Sequence, residues 1–364
     1  QLVDRTAIAA ARFDHARAVE DAREAVALAP RHRPALSALA RWSAARLDTR
    51  RAWPAVVALE RLGAFAKRLS ESPLDRPRLS HLGQLLNEYD LEPEATGRIA
   101  GLLAAPPHGD LDGLRAFVEN APGSTGAAIA FLATARRAGL LDRPAETAGM
   151  SPIPRILHQY WDASPPPPAV ARITNEAKAS NPGWTHRLYD DRAAQAFLAD
   201  VAGSAVRRVF RLARLPAHRA DILRLALLAA EGGVYLDVDD LCFGPLDRLL
   251  PAGAKLVVYQ EPGGAIANNF LAAVPGHPVL AGALEEVCET FLHYSNESIW
   301  LSSGPGLVTR HVARHLAARA AAGSGDIVVH PIHAMRRAVS MHLPMDHKAR
   351  ANDWRAVSLA TRAA

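Results

Sequence analysis

A chain of 364 residues exceeds the usual size of one hydrophobic core, so two domains are expected. Its apolar fraction of 49% and charged fraction of 22% are ordinary for a globular protein and exclude disorder over most of its length. The net charge of +5 comes almost wholly from arginine. Basic runs with interleaved aromatic residues are absent, which argues against a nucleic-acid partner.

The cysteine content and the apolar runs indicate the compartment. Cys242 and Cys288 are too few for a disulfide framework and favour a reducing compartment. No apolar stretch approaches the roughly 20 residues of a membrane span, and the N-terminus has no signal-peptide core. We therefore expect a cytoplasmic protein, either free or peripheral to the inner face of the membrane, and leave its oligomeric state open.

Residues 1–148 are rich in Ala, Leu and Arg with helical spacing of apolar positions, which predicts an all-helical domain. Ala18, Ala22 and Ala25, followed by Pro30, resemble the second helix of a tetratricopeptide repeat. No convincing second copy follows about 34 residues later. A degenerate repeat array and an irregular helical bundle therefore both stay open. By analogy with repeat domains, this domain is expected to bind the acceptor or a partner.

The character of the chain changes at residue 149, where Pro152 and Pro154 precede the strand-like run "RILHQYW". A proline-rich loop, the helix "AVARITNEAKASNP" and the strand "GWTHRLYDD" follow, and further helix is expected to about residue 231. The strands "VYLDVD" and "KLVVYQEP" come next. This alternation predicts an α/β domain with a parallel-rich sheet over residues 149–364.

The helix before "GGVYLDVDD" has two apolar rows and is expected to be buried on most sides. Its polar residues, Arg219, Asp221 and Arg224, crowd into the first turns. Asp221 and Arg224 are three residues apart and share a face, so a structural ion pair is the simplest interpretation of the two alone. Two glycines then end the helix and lead into the strand.

Three aspartates end this strand. On an extended strand Asp237 and Asp239 point to the same face, whereas Asp240 points away and caps the following turn. Clustered carboxylates repel one another unless a positive group lies among them, and Mg²⁺ is often held by one or two carboxylates plus phosphates. An EF-hand loop is excluded because Cys242 and Arg248 stand where Gly and Glu are required. The pattern favours a divalent cation bound with a diphosphate.

The ordered motifs "IPRILHQYW", "NPGWTHRLYDD" and "RADILRLALLAAEGGVYLDVD" resemble the DXD-containing glycosyltransferases of family 32 and, more distantly, the clostridial glucosylating toxins. The likeness covers residues 152–250, and "AIANNFLAAVPGHPVL" and "SGPGLVT" are similar to later segments of the family. It implies a GT-A type, Rossmann-like nucleotide-sugar-binding domain with Mn²⁺ or Mg²⁺. The implied activity is a retaining hexosyltransferase that uses a UDP- or GDP-sugar and a glycan, lipid-linked or protein acceptor.

The resemblance also assigns roles to matching positions. Asp237 and Asp239 form the DXD pair that binds the metal, with Asp239 in direct contact and Asp237 also at the ribose or sugar hydroxyls. Asp221 and Arg224 match the residues that hold the sugar hydroxyls of the donor. These four residues are the predicted catalytic set. Trp161 matches an aromatic that stacks on the nucleobase, with core packing as its alternative.

Further donor contacts are expected from three polar residues. Arg219 would add a positive partner for the diphosphate. Asn268 and Asn269, in "ANNF", would reach the donor or the acceptor, although an Asn pair is just as readily a turn.

Family members tend to carry a His followed by a Trp late in the chain. The segment "MHLPMDHKARANDW" offers His342, His347, Asn352 and Trp354, with a spacing that departs from the family pattern. His347 is taken as the third metal ligand, and Trp354 as a donor-binding residue.

Two alternatives belong to other functional classes. "VYLDVDDL" also resembles the nucleophile strand of haloacid-dehalogenase-like phosphatases, with Asp237 as nucleophile and Asp239 as acid/base. Only Lys255 and Lys348 follow, without the acidic motif that such an enzyme needs. A non-catalytic helical binding module with a relic transferase domain is the other alternative, and the complete DXD motif argues against it. Serine hydrolase, P-loop and zincin motifs are absent.

Overall fold

The computed structural model describes residues 1–64, 81–142, 150–201, 203–293, 299–319 and 326–343. The chain divides into two compact units at Leu140, and the first unit also takes in Pro262–Ala265. The inclusion of this later segment in the first unit was not predicted. The predicted boundary between residues 148 and 149 lies outside the described residues.

Residues 1–140 of the first unit form helices joined by turns wherever the structure describes them, as the sequence predicts. Its helices are α1 (Leu2–Ala11), α2 (His15–Leu28), α3 (Arg33–Ala45), α4 (Thr49–Ala64), α5 (His81–Leu91), α6 (Pro93–Ala104), α7 (Leu111–Asn120) and α8 (Thr125–Arg137). Asp14, Asp110 and Ser124 cap three of them by accepting a backbone N–H in the first turn. Consecutive helices from α1 to α4 pack against each other. The tetratricopeptide interpretation stays a prediction.

The second unit alternates strands and helices, which confirms the predicted α/β class. Its strands are β1 (Ile156–Tyr160), β2 (Thr185–Tyr189), β3 (Gly233–Leu236), β4 (Leu241–Cys242), β5 (Leu256–Gln260), β6 (Phe270–Ala273), β7 (Ile327–Pro331) and β8 (Val339–Ser340). Its helices are α9 (Pro168–Ala179), α10 (Asp191–Val201), α11 (Ser204–Leu212), α12 (Pro216–Ala230), α13 (Pro278–Leu292), α14 (Ile299–Ser302), α15 (Pro305–Arg319) and α16 (Ile332–Met335).

The main sheet has six strands in the order β2-β1-β3-β6-β5-β7. β1 is parallel to β2 and β3, and β5 is parallel to β7. β6 runs antiparallel to both β3 and β5. The sheet is therefore mixed, although parallel pairs prevail as the sequence predicts. Because β6 starts where β3 ends, the residues just before β6 lie beside the residues just after β3.

The strand that leads to the aspartates is shorter than predicted. β3 ends at Leu236, and Asp237–Asp240 form a turn in which the Asp240 N–H donates to the Asp237 carbonyl oxygen at 3.1 Å. The expectation that strand alternation aligns Asp237 with Asp239 and turns Asp240 away is therefore wrong. The hydrogen bonding of the turn decides where these carboxylates lie.

Two glycines connect α12 to β3 at a place where the backbones approach closely. Gly232 and Gly233 have φ angles of 66° and 98°, a region that favours glycine. A Cβ atom on Gly233 would lie 2.6 Å from the Ile156 carbonyl oxygen, and one on Gly232 would lie 2.6 Å from that of Ala273. The chain can enter the sheet between β1 and β6 only without side chains here.

No helix in the described parts of the chain is long and apolar enough to cross a lipid bilayer. The cytoplasmic location stays a prediction.

We expect Gly233→Ala to destabilise the protein strongly, because it adds a backbone clash to an unfavourable φ angle. Gly253→Ala is the matched control, since Gly253 has a φ of 77° but open space around its Cβ position. The control should cost about 1–2 kcal/mol through backbone conformation alone. Gly233→Ala should cost about 2 kcal/mol more in urea denaturation. Equal costs for the two variants would contradict the close-approach argument.

Candidate metal and donor-binding site

Arg224 is the centre of a buried ionic cluster between α12 and the end of β3. Its Nη2 atom lies 3.2 Å from Asp221 Oδ1 and 3.1 Å from Asp237 Oδ1, and its Nη1 atom donates to the Asn268 carbonyl oxygen. The guanidinium carbon stands 4.6 Å from the centroid of the Tyr235 ring. Arg224 is only 3% exposed, so its charge is compensated almost entirely by these neighbours.

Asp221 is as deeply buried as its arginine partner. Its Oδ2 atom accepts a hydrogen bond from Ser303 Oγ at 2.8 Å, and its Oδ1 atom accepts one from Asn268 Nδ2 at 2.9 Å. Burial raises the pKa of Asp221 to about 7, against the opposing effects of Arg224 and the two donors. Burial alone would lower the pKa of Arg224, but Asp237, Tyr235 and Asp221 raise it above its ordinary value. The arginine therefore remains charged, whereas Asp221 is close to its midpoint at neutral pH.

His342, which follows β8, lies close to Asp239 and Asp240 of the turn after β3. One potential ligand atom from each lies within 4.8 Å of the others. Asp240 is fully buried, and its two oxygens accept from the His342 N–H at 2.7 Å and from Asn269 Nδ2 at 2.5 Å. Burial, Asp239 and Asp237 together raise the pKa of Asp240 well above its ordinary value.

The donor atoms of this group suit a divalent cation. Two carboxylates and one imidazole offer the oxygen and nitrogen ligands that Mn²⁺ accepts, and Mg²⁺ would use the carboxylates. The Nδ1 atom of His342 lies 4.0 Å from Asp240 Oδ1, and the ring is largely exposed. A cation would also relieve the repulsion that raises the pKa of Asp240.

Asn268 and Asn269 are both buried, and their side-chain amides donate hydrogen bonds to the carboxylates of Asp221 and Asp240. Asn269 donates to Asp240 while its Oδ1 atom accepts from Tyr259 Oη at 2.6 Å, and its carbonyl oxygen accepts from the Asp237 N–H at 2.9 Å. Their predicted contact with a donor or acceptor stays a prediction. What the structure shows is that their side chains position the carboxylates.

Trp161 and Arg219 lie in different surroundings. Trp161 directly follows β1 and packs against an apolar cluster that contains Val238, the central residue of the DXD motif. The Arg219 guanidinium pairs with Asp191 and donates to the Ala213 carbonyl oxygen at 2.8 Å. Trp161 is therefore beside the DXD turn, whereas the Arg219 guanidinium is already bound by two protein groups.

His347 and Trp354, the predicted late residues, lie outside the described residues. Among the described residues, His342 meets the aspartates, because the next residue, Leu343, donates its backbone N–H to the Asp239 carbonyl oxygen at 3.0 Å. His347, and not His342, was expected to be the third metal ligand. The contact of Ser303 with Asp221 was not predicted, although "SGPGLVT" contains this serine.

A second group of potential metal ligands lies elsewhere in the α/β unit. Single atoms of His277, His315 and Asp326 also lie within 4.8 Å of one another. His277 Nδ1 accepts the Val279 N–H at the start of α13, so the neutral ring carries its proton on Nε2. That proton leaves the buried Nε2 without a lone pair for a metal, and the group is a less suitable cation site than the DXD turn.

Comparison with known proteins supports the class. Residues 167–254 match the family described as the glycosyltransferase sugar-binding region containing a DXD motif. This stretch contains Asp221 and Arg224 as well as the aspartates of the turn. The α/β unit therefore contains a stretch that matches the DXD-containing glycosyltransferases, which supports the family that the sequence motifs indicate.

Several curated proteins are similar to this part of the chain. Inositol phosphoceramide mannosyltransferase 1 of Schizosaccharomyces pombe is 28% identical over 46% of this chain and 53% of that protein. Initiation-specific alpha-1,6-mannosyltransferase of the same yeast is 26% identical over 45% of this chain and 49% of that protein. The chain thus spans about half the length of these relatives.

Among solved structures, the chain is similar to the PaToxG Glycosyltransferase, with a TM-score of 0.41 and 16% identity. That likeness covers 64% of this chain and 92% of the other.

We expect Ser303→Ala to destabilise the protein more as the pH rises. The Ser303 hydroxyl favours ionised Asp221, whose folded-state pKa of about 7 lies above the ordinary value, so charging this residue costs stability as pH rises through 7. Loss of the hydroxyl should enlarge that cost. The destabilisation should reach about 1–3 kcal/mol at pH 8.5 and be clearly smaller at pH 5.5, as measured by urea unfolding.

Ser43→Ala provides the matched control, because Ser43 is equally buried but its hydroxyl has no hydrogen-bond partner among the residues that the structure describes. This control should have little effect at either pH. A pH-independent cost for Ser303→Ala would contradict the assignment of a titrating Asp221.

Proposed function

We propose that this chain is a metal-dependent, retaining hexosyltransferase that uses a nucleotide-sugar donor. The proposal rests on one observation: two clusters of polar side chains lie next to each other at the DXD-type turn. Asp239, Asp240 and His342 form a group suited to a cation, and the Arg224 ion pairs hold Asp237 beside it. Both clusters are completed by residues outside the DXD motif itself.

A divalent ion, Mn²⁺ or Mg²⁺, would neutralise the negative charge that develops on the departing nucleoside diphosphate. We assign its binding to Asp239 and His342, with Asp240 as the buried carboxylate beside them. In this proposal His342 takes the role expected of His347. Hydrogen bonds from the His342 N–H and the Asn269 side-chain amide hold the Asp240 carboxylate in place before the nucleotide sugar binds.

The remaining predicted residues orient the donor. Asp237 is partly exposed and paired with Arg224, and we propose that it accepts hydrogen bonds from sugar or ribose hydroxyls. Asp221 is fully engaged by Arg224, Asn268 and Ser303, so it acts mainly by fixing the arginine. The ring of Trp161, next to the DXD turn, would stack on the nucleobase.

The donor sugar is proposed from the relatives. The two yeast proteins compared above are mannosyltransferases by name, so mannose is the first hexose to test, with GDP- and UDP-linked sugars as donors. A glycan or a lipid-linked acceptor fits these names, and a protein acceptor is the third class to test.

We expect Asp239→Asn to reduce Mn²⁺-dependent sugar transfer on the order of 100-fold or more, because the ligand loses its charge. His342→Gln should weaken Mn²⁺ binding by about 10- to 100-fold and be partly rescued by higher Mn²⁺. The assay follows donor consumption over a panel of UDP- and GDP-hexoses, and NMR of the product reports the anomeric configuration.

Asp200→Asn is the control, because Asp200 is an exposed aspartate on α10. It should keep full activity. Full activity of Asp239→Asn would refute the metal assignment, and an inverted product would refute retention. Release of inorganic phosphate from phosphomonoesters without sugar transfer would favour the phosphatase alternative.

For the helical unit we propose a role in acceptor or partner binding. We expect a chain that lacks residues 1–148 to retain Mn²⁺-dependent donor hydrolysis but to lose transfer to the acceptor. Donor hydrolysis serves as the control for a folded α/β unit. Unchanged transfer by this shortened chain would contradict the proposed role.

A further inference from the structure

Helix α11 presents a strongly basic face. Arg207, Arg208 and Arg211 are all exposed, and on a helix of 3.6 residues per turn they occupy one continuous side. Arg214, also exposed, follows the end of the helix. The segment from Val201 to Arg214 contains no Asp or Glu, so four positive charges lie together without an acidic residue between them.

The opposite side of α11 anchors the helix to the protein. Val209 and Phe210 are buried, and the helix packs against α10, α12 and α13. Its apolar side is therefore packed inside the protein and cannot insert into a lipid bilayer. The arginine side is the one that faces outward.

Within the described residues, none of these four arginines forms an ion pair or a side-chain hydrogen bond. Arg155, Arg187 and Arg219, in the same unit, are instead paired with carboxylates. Two apolar side chains at the ends of neighbouring helices are also exposed, Leu212 of α11 at 43% and Val201 of α10 at 49%.

From these observations we infer that the α11 face docks on an anionic membrane surface. The face presents guanidinium groups, which bind phosphate oxygens in pairs, and exposed apolar side chains end α10 and α11. A surface rich in acidic phospholipid headgroups is the complement of both features. Because the apolar side of the helix is anchored in the protein, the contact is peripheral and mainly electrostatic.

The basic face lies just before the helix that carries two residues of the candidate site. α11 is joined through residues 213–215 to α12, the helix that carries Asp221 and Arg224. Docking would therefore hold the first turns of α12 near the headgroup region. This inference does not depend on the sugar donor or on the metal.

The test is co-sedimentation of the full chain with vesicles. We expect binding to vesicles of phosphatidylcholine with phosphatidylglycerol, no binding to phosphatidylcholine alone, and release by high salt. Each arginine should contribute about fivefold, so Arg207→Gln/Arg208→Gln/Arg211→Gln should weaken binding on the order of a hundredfold. Circular dichroism and the melting temperature should be unchanged, because all three side chains are exposed.

The matched control is Arg31→Gln/Arg33→Gln/Arg50→Gln, which removes the same charge from exposed positions of the helical unit. This control should retain nearly all vesicle binding. Equal losses in both variants would show that only net charge matters and would overturn the inference. Absence of binding to acidic vesicles would overturn it too, as would arginine-dependent binding of a single-stranded RNA in place of vesicles.

Discussion

The buried Arg224 guanidinium is the interaction on which the site depends. It joins three segments that are distant in sequence: the first turns of α12, the end of β3 and the turn before β6. A charge at this depth is tolerable only with carboxylates on both sides, and the carboxylates at this depth equally require the arginine. Because each buried charge needs the opposite charge beside it, the fold must bring the arginine and the carboxylates together.

The second constraint is the crowding of carboxylates in the turn after β3. Asp240 has no contact with solvent and is held by one backbone N–H and one side-chain amide. These donors orient the carboxylate without supplying a full positive charge. In the proposed function, this preorganised carboxylate would help to hold the cation that neutralises the departing diphosphate.

Both constraints rely on the antiparallel strand β6. Because β6 pairs with β3 in register from Gly233 to Leu236, the preceding Asn268 and Asn269 come beside the aspartates. The Asn268 side chain then donates a hydrogen bond to Asp221 in the Arg224 cluster, and the Asn269 side chain donates one to Asp240. Two consecutive amides therefore connect the two halves of the site. The glycine turn before β3 makes this register possible, since any side chain there would meet the backbone of a neighbouring strand.

Much of this organisation could be predicted from local patterns. Apolar periodicity indicated the helical first half and the buried helix α12, and strand–helix alternation indicated the α/β second half. The ordered motifs pointed to a DXD-containing glycosyltransferase, and residues 167–254 match that family. These features depend on short-range spacing, which a sequence displays directly.

The sequence by itself determined the class of domain and the candidate carboxylates at Asp221, Asp237 and Asp239. Only the tertiary structure decided that Asp240 and His342 join Asp239, because a turn replaces the expected strand and Leu343 is hydrogen-bonded across it. It likewise revealed the donor Ser303 and the positioning role of the two asparagines. The physical reason is that these contacts span about 30 to 100 residues, and no local periodicity encodes a hydrogen bond between segments so far apart.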